Sequence, residues 1–308
     1  MEIPPLGQEH NEYSSKGMAA YRAPNLSQPH KARQAIEDAY AGRIPPLIGI
    51  FCVLASRSVT QIVAQLGFDF VWVEWEHASM SVETMTQIVQ DIQFVSEGKS
   101  AALVRVPEAS RAAIGYALDA GASVVIPQVE TLEQARHIVS AARFGVRNNG
   151  KRSAPPGRWI PGVSMQCCDP DLSFWENQNK QAAVIIQIES VEGIKNLDAI
   201  LSAVGEHIDS VWLGSLDLRV SMGLPGFWGE EPEWVEAIDM LQHTLKKHDK
   251  PYSGLATGDD EWLKLRGEGR SLMFTSSDLE AVLRTREELQ HVRGLFPKKN
   301  YSSLGKAT

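Results

Sequence analysis

The sequence predicts a closed (β/α)8 barrel (a TIM barrel), an α/β fold built as a single domain. Between residues 44 and 295, short apolar runs alternate with amphipathic helical segments, and there are eight of each. Such alternation produces parallel strands joined by helical crossovers, and eight units over roughly 250 residues is the number that closes a barrel. The alternative is an open doubly wound sheet, which usually carries a glycine-rich phosphate-binding turn after its first strand. Here that turn reads LASRSV, so the closed barrel is favoured.

Each predicted strand is an apolar, β-branched run bounded by turn residues, and each predicted helix has apolar residues at helical spacing. The strands are expected at Leu47–Val53, Phe68–Trp75, Ala101–Val106, Ser123–Val129, Ala182–Glu189, Ile208–Leu213, Tyr252–Ala256 and Ser271–Thr275. The helices are expected at Val59–Leu66, Ser81–Val95, Ser110–Ala120, Leu132–Ala142, Val191–Val204, Glu233–Lys247, Asp260–Leu265 and Leu279–Arg293. The pattern breaks over Arg143–Lys180, and a loop of that length inside a compact domain is often functional.

The chain divides into three parts around this barrel. Residues 1–43 are expected to form an N-terminal extension with a capping helix, residues 44–295 the barrel, and residues 296–308 a polar tail. Residues 1–27 are polar and turn-rich, so we expect them to be loosely held. Ser27 is expected to cap a helix that has Pro29 in its first turn and runs to Tyr40.

The composition excludes several classes of partner and location. The net charge is −8 and arginine and lysine form no long run, so no nucleic-acid partner is expected. No apolar run approaches the roughly 20 residues that a membrane span needs, and the first residues lack the pattern of a secretory signal. Cys52, Cys167 and Cys168 form no disulfide framework, which is typical of a reducing compartment. We therefore expect a cytoplasmic protein with no membrane partner.

Polar side chains stand where five of the predicted strands end. They are Glu74, Glu76, His77, Arg105, Gln128, Glu189 and Asp217. In a barrel the carboxyl ends of the strands carry the active site, so these side chains are expected to converge. Glu189 and Asp217 fit a hard divalent cation whose other ligands are water and substrate oxygens, although each alone is equally typical of a helix terminus. Arg105 would be costly to bury at a strand end without an anion, which favours a functional role.

Six motifs match a known family in their order and in their positions at the strand ends. They read GFDFVWVEWEH, VRVPEA, LDAGASVVIPQVET, QIESVEGIKNLDAI, VWLGSLDLRVSMGLPG and FTSSDLEAVL. Over about residues 46–293 the chain resembles the HpcH/HpaI aldolases, which are metal-dependent class II pyruvate aldolases of the phosphoenolpyruvate/pyruvate barrel superfamily. The resemblance implies a carbon–carbon lyase that cleaves or forms a 4-hydroxy-2-oxo acid through a pyruvate enolate. Its partners would be a 2-oxo acid and an aldehyde or other acceptor, and its cofactor a divalent ion, Mg²⁺ or Mn²⁺, with Co²⁺ as a further option.

The resemblance also assigns roles residue by residue. Glu189 and Asp217 resemble the metal-ligating carboxylates. Arg105 resembles the arginine that holds the 2-oxo oxygen. His77 resembles the histidine that transfers protons, and Asp119 its partner. The substrate-binding residues implied beside them are Gln128, Gln187, Gly214, Ser215 and Leu216.

Three positions depart from the family pattern. Glu74 replaces an aspartate, Ser215 a proline and Arg219 a serine. The metal and enolate residues are retained, so the departures point to a changed acceptor pocket. Two alternatives stay open: an oxaloacetate decarboxylase or enolate-adding enzyme, and an inactive barrel that only binds.

The family assembles as trimers or hexamers, with the C-terminal helix packed on a neighbouring subunit. Apolar residues recur along that helix here, at Leu279, Val282, Leu283, Leu289 and Val292. The pattern is compatible with a helix swapped between subunits and with a helix that closes its own barrel. The resemblance therefore implies a homo-trimer or homo-hexamer.

Overall fold

The fold is a closed barrel of eight parallel strands in sequential order, in which β8 pairs with β1. The computed structural model describes residues 7–25, 27–146, 150–156, 160 and 163–296. The strands are β1 Leu47–Cys52, β2 Phe70–Glu74, β3 Ala101–Arg105, β4 Ser123–Ile126, β5 Val184–Ile188, β6 Ser210–Leu213, β7 Tyr252–Leu255 and β8 Arg270–Ser277. The predicted fold class is confirmed. The tail predicted at residues 296–308 lies outside the described residues beyond Phe296.

Twelve α-helices are described along the chain. They are α1 Gly7–Lys16, α2 Ala32–Tyr40, α3 Arg57–Val63, α4 Val82–Val95, α5 Arg111–Ala120, α6 Leu132–Ala142, α7 Phe174–Gln181, α8 Val191–Val204, α9 Ser215–Ser221, α10 Pro232–Lys247, α11 Asp260–Gly267 and α12 Asp278–Leu295. Within the described residues, no helix is both long and apolar enough to cross a membrane.

Three of these helices, α1, α7 and α9, were not predicted from the sequence. Helix α7 lies inside the stretch read as a long loop, where Ser173 and Glu176 form a reciprocal capping box. Helix α9 begins at Ser215, directly after β6 and without the turn that the pattern suggested.

The barrel lumen is filled by aromatic side chains. Phe51, Trp72, Trp212 and Phe274 pack against one another, with ring centroids 4.9 Å apart between the two tryptophans and 4.8 Å between the two phenylalanines. A Cβ atom at Gly49 would lie 2.5 Å from the Phe274 ring, so this position accepts only glycine beside so large a neighbour. The lumen is therefore a packed core, and any substrate must bind at one of its ends.

The N-terminal extension is held more firmly than the sequence suggested. Met18 and Tyr21 are buried in the same apolar cluster as residues of the barrel lumen such as Trp72 and Phe274. The Tyr13 hydroxyl donates to Asp69 over 2.8 Å, and the other Asp69 oxygen accepts from the Ile48 amide over 2.9 Å. The expectation of a loosely held extension was wrong for the described part, because apolar residues among the polar ones close the amino end of the barrel.

The second helix also starts later than predicted. Helix α2 begins at Ala32 and not near Ser27. Residues on either side of the intervening turn pair in antiparallel fashion, because the Lys31 amide donates to Tyr21 and the Ala23 amide donates to Pro29, both over 2.7 Å. This antiparallel pairing keeps the backbone before Lys31 in a non-helical conformation.

Helix α12 leaves the barrel with its apolar positions uncovered. Asp278 is its one buried residue within the described chain and anchors the helix, since its carboxylate accepts from the amides of Val53 and Leu54. The exposed apolar residues are Leu279, Val282, Leu283, Leu289, Val292 and Leu295. In a single subunit this helix does not bury an apolar face against its own barrel.

Candidate active site at the carboxyl end of the barrel

The candidate site is built from inward-facing residues at the carboxyl ends of neighbouring strands. Side chains alternate between the lumen and the outer face of a strand, so a residue two positions beyond a lumen residue also faces the axis. Trp72 fills the lumen, and Glu74 therefore follows it on the same face. The strand register places Glu74 beside Arg105, at the ends of β2 and β3.

Glu74 and Arg105 form a buried ion pair. The Arg105 Nη2 atom lies 2.6 Å from Glu74 Oε2, and its Nε donates to the same carboxylate over 2.8 Å. Trp72 Nε1 donates to Glu74 from the lumen, and the amides of Glu76 and His77 donate to its other oxygen. The anion that the burial of Arg105 requires is thus supplied by the chain itself. Glu74 was expected at the site from its position at a strand end, but its pairing with Arg105 was not predicted from the sequence.

Glu189 is the most constrained carboxylate of the site. It is 4% exposed, and it accepts hydrogen bonds from the Gln128 amide over 2.8 Å and from Gln187 Nε2 over 3.1 Å. Gln128 adopts a left-handed backbone with φ of 55°, a conformation that L-residues adopt rarely and that occurs often at functional sites. Burial is the main cause that raises the pKa of Glu189 to about 7; the nearby Asp217 carboxylate acts in the same direction, while the Gln128 amide and Arg105 oppose the shift.

Glycine at position 214 makes room for this carboxylate. A Cβ atom built there would lie 2.1 Å from Glu189 Oε1. Gly214 and the buried Ser215 lead directly into α9. The first amides of a helix have no partner within the helix, so the amides near Leu216 are available to an acceptor at the mouth of the barrel.

The donor set fits a hard divalent cation. Asp217 lies in the first turn of α9, and its charge acts on the pKa of Glu189 and of Glu76. The buried Oε1 atom of Gln187 has no hydrogen-bond partner within the described structure, which leaves an acceptor beside Glu189 for a bound water or ligand. No group of three or more His, Cys, Asp or Glu side chains that could hold an ion occurs among the described residues. Two carboxylates completed by water and substrate oxygens agree with this arrangement.

His77 and Asp119 are not brought together within one chain. The His77 side chain is 70% exposed at the mouth, 3.6 Å from the Glu76 carboxylate. Asp119 lies in the last turn of α5, the helix that returns from the end of β3 to the beginning of β4, and so lies at the opposite end of the barrel. There it accepts from Arg152 Nη2 over 2.8 Å. The other predicted site residues all lie at the carboxyl end.

The Arg219 guanidinium is held by groups other than Glu189 and Asp217. It donates with two nitrogens to Glu231, 2.8 Å each, and also donates to the Pro225 carbonyl. The same group lies 5.0 Å from the centre of the Trp234 ring. Arg219 therefore fixes the segment between α9 and α10, and the structure explains why an arginine there does not disturb Asp217.

A cavity of about 690 Å³ opens above these residues. One side presents the charged groups of His77, Arg105 and Asp217. Much of the remaining lining is apolar, from Leu216, Phe227, Leu255, Leu279 and Leu283, with hydroxyl groups from Thr257, Ser276 and Ser277 beside them. The site thus joins a region for an anionic, oxygen-rich group to a region for an apolar one.

Comparison with known proteins identifies the family. A sequence model described as HpcH/HpaI aldolase/citrate lyase matches residues 47–285, which is the barrel and the start of α12. The chain belongs to this family. Its members are lyases of 2-oxo acids that depend on a divalent metal ion, so the predicted family and enzyme class are confirmed.

Named relatives of the HpcH/HpaI family agree with this assignment. A 5-keto-4-deoxy-D-glucarate aldolase of Klebsiella pneumoniae is 31% identical over 239 residues, covering 75% of this chain and 86% of the relative. A 2-keto-3-deoxy-L-rhamnonate aldolase of Salmonella gallinarum is 31% identical over 213 residues, covering 68% and 74%. The crystal structure of macrophomate synthase matches with a TM-score of 0.81 and 29% identity, covering 94% of this chain and 98% of the other.

Proposed function

We propose that this protein is an aldolase that cleaves or forms a 4-hydroxy-2-oxo acid through a pyruvate enolate at the carboxyl end of the barrel. The observation that carries the proposal is the position of buried Glu189, which is wedged against Gly214 and is electrostatically coupled to Asp217 and Arg105. Glu189 and Asp217 would hold the metal ion, Mg²⁺ or Mn²⁺, with Co²⁺ also compatible with oxygen ligands. When bound, the ion supplies Lewis-acid stabilisation of the charge that develops on the 2-oxo oxygen.

Arg105 provides a fixed positive charge for the same oxygen. Its Nε and Nη2 groups are occupied by Glu74 and Glu76, so the guanidinium is held in one orientation before the substrate arrives. Its remaining N–H groups are free to donate to the enolate oxygen. Donors that need no reorganisation stabilise a developing charge best, which is the role that we assign to Arg105.

Backbone and side-chain donors at the mouth orient the rest of the acid. The amides of Ser215 and Leu216 would hold the substrate carboxylate, whereas the Gly214 amide already donates to the Ile188 carbonyl over 3.1 Å and can contribute only close approach of its backbone. Gln187 stands beside Glu189 with an unused buried oxygen. Gln128 contributes a side chain from its strained turn. Holding both ends of the 2-oxo acid aligns its third carbon for bond formation or cleavage.

His77 is the proton-transfer group in this proposal. In cleavage it accepts the proton of the 4-hydroxyl group while the bond between carbons 3 and 4 breaks and its electron pair moves into the enolate. The enolate then takes up a proton to give pyruvate, and the former carbon 4 leaves as an aldehyde. The exposure of His77 at the mouth is suited to exchanging this proton with solvent.

Asp119 requires a second copy of the chain if it is to support His77, because the two residues lie at opposite ends of one barrel. We propose a homo-trimer or homo-hexamer in which the uncovered apolar residues of α12 pack on a neighbour. The free thiols of Cys52, Cys167 and Cys168 support a reducing compartment, which we take to be the cytoplasm.

The apolar side of the mouth cavity favours an aldehyde with an apolar body. Leu216, Phe227 and Leu279 offer no hydrogen bonds to hydroxyl groups. The Klebsiella and Salmonella relatives are named for sugar-derived acids, so we propose that the acceptor differs here. A screen that pairs pyruvate with matched apolar and polyhydroxylated aldehydes is expected to favour the apolar series.

A second candidate is decarboxylation of oxaloacetate with protonation or capture of the enolate. The match to macrophomate synthase covers 98% of that chain, and this supports keeping oxaloacetate decarboxylation as a candidate reaction. It uses the same metal ligands and Arg105 but needs no aldehyde. Release of pyruvate from oxaloacetate faster than any aldol cleavage would select it.

The decisive experiment is exchange of deuterium into the methyl group of pyruvate, followed by NMR in heavy water with and without Mg²⁺ or Mn²⁺. We expect metal-dependent exchange, because both candidate reactions pass through the enolate. The matched variant is Arg105→Lys, which keeps the charge but loses the fixed guanidinium, and we expect exchange at least about tenfold slower. Absence of exchange in the metal-loaded protein would contradict the enolate proposal and favour a barrel that only binds.

A further inference from the structure

A second cavity, of about 600 Å³, lies outside the barrel between α10 and α11 and against the strands β7 and β8. Four aromatic side chains stand among its walls. They are Trp228, Trp234, Tyr252 and Trp262, and the walls also include two arginines, Arg266 and Arg270. The volume is in the range of sites that bind small organic molecules. The reaction proposed above uses none of the residues around it except Trp228, which also lines the mouth cavity.

The two arginines of this cavity have no carboxylate partner among the described residues. Arg266 donates to the Thr257 carbonyl over 2.6 Å, and Arg270 donates to the Leu255 carbonyl and, over 3.5 Å, to the Tyr252 hydroxyl. The other buried arginines among the described residues, Arg143, Arg152 and Arg219, each lie within 4.0 Å of a carboxylate. A buried charge without a counter-ion is costly, so the pair is a candidate for an anion supplied from outside.

Three buried N–H donors in the cavity also lack acceptors. They are the Nε atoms of Arg266 and Arg270 and the Nε1 atom of Trp228. Arg270 is only 5% exposed, so solvent does not satisfy its donor. The guanidinium carbons of Arg266 and Arg270 lie 4.6 and 5.6 Å from the centre of the same Trp228 ring, and each also lies within 5 Å of the centre of a second ring, that of Trp262 or Tyr252.

The environment makes both guanidiniums unusual. Burial lowers the pKa of Arg266, and the positive charge of Arg270 lowers it further. Burial is also the main cause of a lowered pKa for Arg270. Gly254 leaves the space for this arrangement, because a Cβ atom there would lie 3.0 Å from Arg270 Nη1. The chain therefore places two like charges side by side under apolar cover.

We propose that this cavity binds a small organic carboxylate with an apolar body. The carboxylate would lie between Arg266, Arg270 and the indole N–H of Trp228, and the body would pack on the surrounding indole rings. Three exposed acidic residues, Glu230, Asp239 and Glu268, stand at the rim. Their charge disfavours a dianion, which is why a carboxylate is preferred to a phosphate monoester.

The bound carboxylate would act on the active site through shared residues. Trp228 lines both cavities. The carbonyls held by Arg266 and Arg270 belong to Thr257 and Leu255, which line the mouth cavity. A ligand that draws the guanidiniums toward itself would weaken their hydrogen bonds to these carbonyls and so shift this wall of the mouth cavity. This regulatory step rests on the proposed function, whereas binding itself does not.

The test uses the full-length protein and 3-phenylpropanoate as probe, by calorimetry and tryptophan fluorescence, with neither metal nor a 2-oxo acid present. We expect saturable binding, and binding at least about tenfold weaker for the neutral 3-phenylpropanol and for the variants Arg266→Met and Arg270→Met. Trp228→Phe keeps a ring but removes the donor, and a loss of about threefold is expected. Arg136→Met, at an exposed position on α6, is the matched control and is expected to bind normally.

The outcomes separate this proposal from the proposed function. Retained probe binding in Glu189→Gln is expected and excludes binding at the active site. Several results would each overturn the carboxylate-binding proposal. They are equal binding of the alcohol, unchanged binding in both arginine variants, preference for phenyl phosphate, loss of binding in Glu189→Gln, and no binding at millimolar probe. If probe binding holds while deuterium exchange into pyruvate fails, only the proposed reaction is contradicted. Circular dichroism of each variant establishes that a loss of binding is not a loss of fold.

Discussion

The Glu74 carboxylate lies 2.6 Å from the Arg105 guanidinium, at the point where β2 and β3 end side by side. Glu74 is 1% exposed and accepts hydrogen bonds from both the lumen and the loop that carries His77. It therefore orients the arginine proposed to hold the enolate oxygen and fixes the loop of the proton-transfer group.

We expect Glu74→Gln to slow deuterium exchange into pyruvate by roughly 10- to 100-fold, because Arg105 loses its charged partner and shifts toward Glu76. NMR of the pyruvate methyl group measures the rate. Glu74→Asp is the control, since it keeps the charge with a shorter reach, and it should retain more activity than the glutamine variant. Equal rates in wild type and Glu74→Gln would show that the pair has a structural role only.

A methyl group at position 214 is expected to abolish metal binding. The Cβ of Gly214→Ala would lie 2.1 Å from Glu189 Oε1, so the carboxylate must leave its place. Calorimetry with Mn²⁺ should show affinity reduced at least about tenfold, and pyruvate exchange should fall with it. Gly115→Ala is the matched control, because nothing lies within 4 Å of the added atom in α5. Gly115→Ala should bind metal normally. Normal Mn²⁺ binding by Gly214→Ala would instead show that Glu189 is not a metal ligand.

The strand ends of this site were predictable from the sequence, because a period of two fixes which residues face the axis once a barrel is assumed. Arg105, Gln187 and Glu189 are found at the end where they were expected. Glu74 was expected at the same end, but its role as the partner of Arg105 was not predicted because the two residues are 31 positions apart in the sequence. Asp119 is the opposite case. Helix α5 returns the chain to the amino end of the barrel, so Asp119 lies far from the strand-end residues although it is close to Arg105 in the sequence.

The irregular connections were the least predictable part. Helix α7 is polar and short, and its capping box is a local signal that a long glycine- and proline-rich context obscured. The N-terminal segment contains few apolar residues, but Met18 and Tyr21 are enough to anchor it. Arg219 fell within a motif of the site, yet its length lets it reach Glu231 on the other side of α9.

The segment between α9 and α10 is expected to loosen when Arg219 is replaced by serine. Arg219 holds the Pro225 carbonyl and Glu231 together, and Phe227 lies between them on the wall of the mouth cavity. Arg219→Ser should raise KM for the aldehyde several-fold and speed proteolysis of this segment, while pyruvate exchange changes little. Arg136→Met serves as the control for loss of an arginine elsewhere. A rise in aldehyde KM matched by an equal fall in exchange would contradict a role confined to the acceptor.

Acid is expected to destabilise the fold through His30. The ring is buried and Nε2 lies 2.9 Å from the Gly98 carbonyl, and burial lowers the pKa of His30 to about 4. Between the unfolded pKa of about 6.5 and the folded value, only the unfolded state binds the proton, so stability rises with pH and is lost as pH falls. The loss across this window is about 3 kcal/mol from this one group. Urea unfolding at pH 7 and pH 5 should show about 2 kcal/mol of this loss, because pH 5 lies inside the window.

The variant His30→Gln isolates this contribution. Glutamine can donate to the same carbonyl and does not titrate, so the free energy of unfolding should vary less with pH than in wild type. His137→Gln, at an exposed position on α6, is the control and should leave the pH dependence unchanged. Identical pH dependence in wild type and His30→Gln would contradict the assignment.

Complementation between inactive variants tests whether the site is shared between subunits. His77→Asn and Asp119→Asn should each lose activity, provided that Asp119 reaches His77 only from a second copy. Mixing the two after dissociation and reassembly should restore up to about a quarter of wild-type activity, because that fraction of sites receives one intact residue from each neighbour. The double variant His77→Asn, Asp119→Asn is the control. Mixing it with either single variant leaves every site without one of the two residues, so no comparable rescue is expected. Adding Leu289→Glu to both partners, which places a charge on the uncovered face of α12 away from the mouth cavity, should prevent assembly and with it the rescue. Full activity of Asp119→Asn alone, or rescue without assembly, would show that His77 works without a second subunit.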